Sequence, residues 1–187
     1  MRSLSPGFDG MEEGEAIARW RAGDPEGMAA LVRRYQQRAL RIAALILPDP
    51  MQAEDAVQEA FVRAWRHRRS FRPNAPFWPW FRQLVVHEAL RLARREGRET
   101  PMEADSVEGN DPDPHADPAE QLDSSEALAQ LARALARLSP TQRTLVVLRY
   151  YEGMREEELA AALGCAVGTV KRHLHEARQR LRRWLTE

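Results

Sequence analysis

Lys171, Arg172, His175 and Gln179 stand in a stretch whose spacing could bring them to one side of a helix. At about 100° per residue Gly168 and Thr169 join that side. Val170, Leu174, Ala177, Leu181 and Leu185 recur on the other at intervals of four, three, four and four. The apolar stripe must pack inward, which leaves the cationic face for a polyanion. Arg and Lys can meet guanine edges or phosphates in a DNA major groove. The small residues at the helix start would let the backbone approach a phosphate. The element that seats such a helix lies just upstream: Glu156 to Leu163 is helix-forming, and Gly164 accepts the left-handed backbone of a helix C-cap. The pair reads as a helix-turn-helix. An amphipathic hairpin with a solvated basic face carries the same pattern, and this segment alone does not separate the two.

Other chemistry is poorly supported. Cys165, His173 and His175 match no zinc-ligand spacing and lack a fourth ligand, so no metal or cofactor is expected. No P-loop, Gly-rich dinucleotide motif or hydrolase elbow is found, which makes an enzyme the least supported class. No apolar run reaches the roughly 18 residues of a membrane span, so no direct membrane insertion is expected. The opening MRSLSPGFDG has no apolar centre and does not read as a secretory signal. A single cysteine among 187 residues excludes an internal disulfide and fits a reducing cytoplasm.

The formal net charge of zero conceals a strong pattern. Residues 31–99 carry fourteen cations and seven acids, and residues 128–187 carry eleven and six. Between them, residues 100–127 carry nine acids and no Lys or Arg. Basic blocks attract nucleic acid, whereas the acidic strip repels it. Its repeated Asp-Pro steps, scarce large apolar residues and lack of periodicity predict a flexible tether.

Helical periodicity flanks that strip. Asp24-Pro25 is an N-cap followed by a first-turn proline, after which Met28, Leu31, Tyr35, Ala39, Ile42 and Ile46 recur every three or four residues. A second helix over about residues 52–67 buries Ala53, Val57, Ala60, Phe61, Ala64 and Trp65, and leaves Asp55, Gln58, Glu59 and Arg63 outward or marginal. A third holds Phe77, Trp78, Trp80, Phe81, Leu84 and Leu92 and closes on Arg91, Arg94, Arg95 and Arg98. Beyond the strip, Leu128, Leu131, Leu135 and Leu138 form one stripe. Ser139-Pro140-Thr141-Gln142 looks like a capping box, and Leu145, Val146 and Leu148 lead to a stop at Gly153. No run alternates long enough for a strand, so the expected fold is all-α: two small helical domains on a linker.

Two blocks in this order resemble a known family. AEDAVQEAFVRAWRHRRSFRPNAPFWPWFRQLV and LSPTQRTLVVLRYYEGMREEELAAALGCAVGTVKRHLHEAR are similar to the σ2 and σ4 domains of bacterial RNA polymerase sigma factors of the extracytoplasmic-function (ECF, group IV) type. The resemblance implies an extension over 1–22, a σ2-like domain over 23–98, a linker over 99–126 and a σ4-like domain over 127–187. It also implies binding to core RNA polymerase (β′ clamp helices and β flap), promoter DNA as the second partner, and an anti-sigma protein as a third. Asp55, Gln58 and Glu59 match the polymerase-binding face. Beside apolar Val62 their polar groups can pair with arginines while a small hydrophobic centre excludes water. A solvated acidic face is the competing reading.

The loop carrying Ser70, Phe71, Arg72, Pro73 and Asn74 matches the −10 specificity loop. There Asn74 would meet a flipped base's edge, and Phe71 would either stack on the base or anchor the loop in the core. Trp78 would sit beside separated strands, and Arg82, Arg91, Arg94 and Arg95 would form a rail for phosphates. Gly168, Thr169, Lys171, Arg172, His175 and Gln179 would serve the −35 element. His87, Arg91 and Arg155 stand where the family commonly has Asn, Asp and Ser, departures that bear on base preference rather than fold. A self-sufficient regulator would use the C-terminal motif alone, and a sigma-like decoy would bind polymerase without initiating.

Overall fold

The structure, a computed structural model, describes residues 11–73, 75–97 and 125–186. Residues 99–124 of the expected linker, Asn74 and Arg98 therefore lie outside the described residues, while its last two positions, Ser125 and Glu126, already belong to a helix. Eight α-helices are present among those described, and no strand.

The first half is built from α1 (Glu13–Ala22), α2 (Pro25–Ile46), α3 (Pro50–Arg66) and α4 (Phe77–Gly97). Two Asp-Pro pairs start two of them. Asp24 accepts from the Glu26 N–H at 2.9 Å and Asp49 from the Met51 N–H at 3.0 Å, each with proline in the first helical position. Helix α3 thus begins two residues before its expected start, because Asp49-Pro50 acts as a starter and not only as the stop of α2.

Helix α1 falls within the stretch read from sequence as an extension. Its Trp20 is nonetheless fully buried and packs edge-on against Phe71 and Phe77, with ring centroids 5.5 and 5.4 Å away. The close crossing of α1 over α2 depends on Gly27. A Cβ there would lie 2.3 Å from the Trp20 backbone nitrogen and 2.7 Å from the Ala16 carbonyl oxygen.

The second half comprises α5 (Ser125–Ala136), α6 (Pro140–Val146), a π turn (Val147–Tyr151), α7 (Glu156–Leu163) and α8 (Val167–Thr186). Ser139 accepts from the Gln142 N–H at 3.3 Å, one half of the expected capping box. The Gln142 side chain instead reaches α8, where it donates to Glu176 at 2.9 Å and accepts from Arg180 at 3.0 Å. Arg155 has no capping side chain for α7, but the Glu158 carboxylate reaches back to its N–H at 2.7 Å. Gly164, at φ 66°, closes α7 in the left-handed conformation. Leu159, Val170, Leu174 and Ala177 pack the hairpin inward.

The two halves pack on each other, with α6 against both α2 and α4. Arg143 on α6 is buried and donates to carbonyls at the ends of two helices. One is Ile46 at the end of α2, at 2.8 Å; the others are Leu135 at 2.8 Å and Ala136 at 2.7 Å in the last turn of α5. Leu138, just beyond α5, accepts from it at 3.0 Å. A guanidinium suits this place, since terminal carbonyls lack intrahelical donors and carry partial negative charge.

Candidate polymerase and nucleic-acid interfaces

One face of α3 is open. Asp55, Gln58 and Val62 are exposed, and Met51 extends the same row by one turn, its spacing to Asp55, Gln58 and Val62 being four, three and four. Met51 is 71% exposed and Val62 40%, so the row presents two apolar side chains to its surroundings. Sequence reasoning missed Met51, although the i, i+4 interval to Asp55 marked it. Glu59, at the margin, lies 3.6 Å from Arg63. Arg63 in turn meets the fully buried carboxylate of Glu88 at 2.8 Å, and Arg91 meets its other oxygen at 2.8 Å.

The α4 rail is split. Arg91 and Arg95 are exposed. Trp78 is buried, stacked on Tyr35 at a centroid distance of 5.7 Å, and covered on its face by the Arg38 guanidinium at 4.2 Å. Its indole N–H donates to Glu152 at 2.9 Å, and Arg82 donates to the same carboxylate oxygen at 3.0 Å. Arg94 donates to Thr141 at 3.1 Å, and an imidazole nitrogen of His87 lies 2.9 Å from the Ala162 carbonyl oxygen. Thus the α4 face expected to meet DNA at Trp78, Arg82 and Arg94 is engaged by the second half of the chain. Glu152, Arg38 and Arg143 were not singled out from sequence; their partners lie 70–114 residues away for Glu152, and no local pattern announces such pairs.

In the loop before α4, Arg72 is exposed and Phe71 is buried. Phe71 contacts Trp20, Phe77 and Trp80, with the Trp80 centroid at 5.1 Å. Of its two readings, core anchor describes this arrangement.

On α8, Gly168, Lys171, His175 and Gln179 are exposed and Arg172 is half-buried. Lys171 lies 3.8 Å from Glu156, and His175 and Gln179 meet at 2.8 Å. Thr169 departs from the expected face. Its side chain is 2% exposed and its hydroxyl has no hydrogen-bond partner, because the three-residue turn after α7 folds that helix against the first turn of α8. Its backbone N–H is engaged as well, donating to the Ala166 carbonyl at 3.0 Å. Cys165 in that turn is half-buried, which pushes its thiol pKa up. Among the described residues no three His, Cys, Asp or Glu side chains are grouped to hold a metal, and no helix is long and apolar enough to cross a membrane.

Comparison with known proteins fits this geometry. Residues 31–99 match the family Sigma-70 region 2, and residues 128–181 match Sigma-70, region 4. The ECF RNA polymerase sigma-E factor of Escherichia coli K12 is 31% identical over 170 residues, covering 87% of this chain and 88% of that protein. The ECF RNA polymerase sigma factor SigE of Mycolicibacterium smegmatis is 35% identical over 173 residues, covering 88% of this chain but only 65% of that longer protein. Among solved structures, the sigma factor RpoE in complex with the anti-sigma factor NepR from Bartonella quintana is similar with a TM-score of 0.60 and 28% identity, covering 83% of this chain and 94% of that one. CnrH in complex with the cytosolic domain of CnrY has a TM-score of 0.62 at 24% identity, covering 93% and 97%, and shows the shared fold.

Proposed function

Since this chain belongs to the sigma-70 family, in its extracytoplasmic-function group, we propose that it is a dissociable specificity subunit that binds core RNA polymerase and directs transcription from chosen promoters. The observation that carries this reading is the pairing of two open faces on two domains. One is the Met51, Asp55, Gln58, Val62 row on α3, and the other is the Lys171, Arg172, His175, Gln179 face on α8. The first has the make-up of a protein interface: two apolar side chains flanking polar and acidic ones. The second has the make-up of a groove-reading helix. In this reading α3 docks on the polymerase clamp, α8 reads the −35 element, and α4 with its preceding loop handles the −10 region. RNA synthesis itself is the polymerase's chemistry, and the site of action is the cytoplasm.

A protein inhibitor is the third partner. The similar RpoE structure holds an anti-sigma factor, and a two-domain body whose α4 face is already covered suits capture in that state.

Transcription in vitro with core polymerase over a promoter library tests the reading. The chain is expected to confer initiation on a subset of promoters, and Asp55→Arg with Gln58→Ala to weaken core binding at least tenfold. Specific duplex binding without core, and no core-dependent initiation, would mark a self-sufficient regulator. Core binding without initiation would mark a decoy.

A further inference from the structure

Among the described residues Glu152 is the most heavily bonded carboxylate between the two halves. Its side chain is 2% exposed. Arg38 approaches both oxygens, at 3.2 and 3.1 Å, and Arg82 and the Trp78 indole N–H share one of them at 3.0 and 2.9 Å. All three donors belong to the first half of the chain, Arg38 to α2 and the other two to consecutive turns of α4. The acceptor belongs to the second half, immediately after the π turn.

Two cations surround one anion, so the first half alone presents two guanidiniums and an N–H converging on a point. Such a constellation is built for a singly charged oxyanion. Arg38 also lies over the Trp78 face, which fixes its plane.

We propose that Arg38, Arg82 and Trp78 form an anion site that takes a backbone phosphate of single-stranded promoter DNA, and that Glu152 fills it as an internal stand-in while the two halves are closed. A phosphodiester carries the same single charge and also offers two acceptor oxygens, so it can replace the carboxylate without changing the local charge. On α4 the site lies in the first two turns, whereas Arg91, nine residues beyond Arg82, turns to the other side of the helix and pairs with Glu88. It rests on the family reading above, and adds Arg38 and the exchange with Glu152. The closed contact then lowers the apparent affinity for DNA, because only the open fraction can bind.

The test uses the full-length chain without core enzyme and a fluorescently labelled 20-nucleotide single strand, with anisotropy followed across a salt titration. E152Q keeps the shape and loses the charge. It is expected to bind about tenfold tighter than the parent, and R38A in that background to abolish the gain and reduce the salt slope by about 0.7, the change for one single-strand phosphate contact. Equal affinity of E152Q and parent, or a gain that survives R38A with an unchanged slope, would overturn the proposal. R38A on the parent chain is a second arm, since its side chain is 44% exposed and tolerant of change. Small-angle scattering should show it opening the molecule without a gain in affinity, and a gain equal to that of E152Q would refute the site. Core-dependent transcription by the parent chain is measured separately, so loss of the site and loss of the family reading give different results.

Discussion

Thr169 shows how one buried hydroxyl separates stability from recognition. Its oxygen is buried without a partner, and such a group costs on the order of 1–3 kcal/mol in lost hydration. Thr169→Val removes the hydroxyl and keeps the branched shape that the α7–α8 junction encloses. It should stabilise the chain by about 1 kcal/mol, read as a higher urea midpoint with an unchanged slope. Because the Thr169 side chain is buried away from the exposed face of α8, duplex affinity should stay within twofold of the parent. Glu88 is compensated differently at the same scale. Arg91 donates to one oxygen of its buried carboxylate, while Arg63 lies by the other as an ion pair. The arginine that departs from the family's usual Asp is thus accommodated by a neighbour three residues earlier.

Helix α1 depends on a close backbone approach, on Trp20 packing and on one cross-helix bond, the Tyr35 O–H donating to Glu13 at 2.6 Å. Three apolar residues, Ala16, Ile17 and Trp20, are all it buries, and in sequence they are too few to show a sustained period. What keeps it in place is the fit of its backbone against Gly27 and the aromatic cluster around Trp20. Gly27→Ala drives a Cβ into backbone atoms, which cannot yield as a flexible side chain would. The expected cost is about 2–3 kcal/mol, seen as a lower denaturation midpoint together with faster hydrogen exchange across residues 13–22. The α7–α8 pair is set differently. Gly164 and the Glu158 back-bond are local devices, and they are legible from residue types alone.

Across the whole molecule the two halves share one buried apolar cluster and are joined in addition by two polar centres. Arg143 ties the ends of α2 and α5 to α6, and the Glu152 cluster joins α2 and α4 to the π turn. Arg143→Met would leave carbonyls of Ile46, Leu135, Ala136 and Leu138 without this donor. We expect a loss of about 3 kcal/mol or more in denaturant unfolding, with exchange rising at the ends of α2 and α5 together. Arg143→Lys should recover only part, since an ammonium lacks the planar fork that reaches four acceptors. The closed packing also explains why rail residues expected on an open DNA surface are occupied. Trp78 and Arg82 belong to an interface whose other side is the chain itself.

The all-α class, the helix-turn-helix, the polar row on α3 and most helix limits followed from the sequence. Each rests on neighbours within a few residues: Asp-Pro starters, a glycine stop, or apolar residues every three or four positions. The burial of Phe71 and Thr169, the membership of α1 in the core, and the meeting of Arg38, Arg82 and Trp78 at Glu152 were decided by the tertiary structure alone. Residue type and period say that a side chain is apolar or charged and which side of its helix it takes. They do not say which distant helix covers that side, because this depends on how whole elements pack and on which far-off donor finds which acceptor.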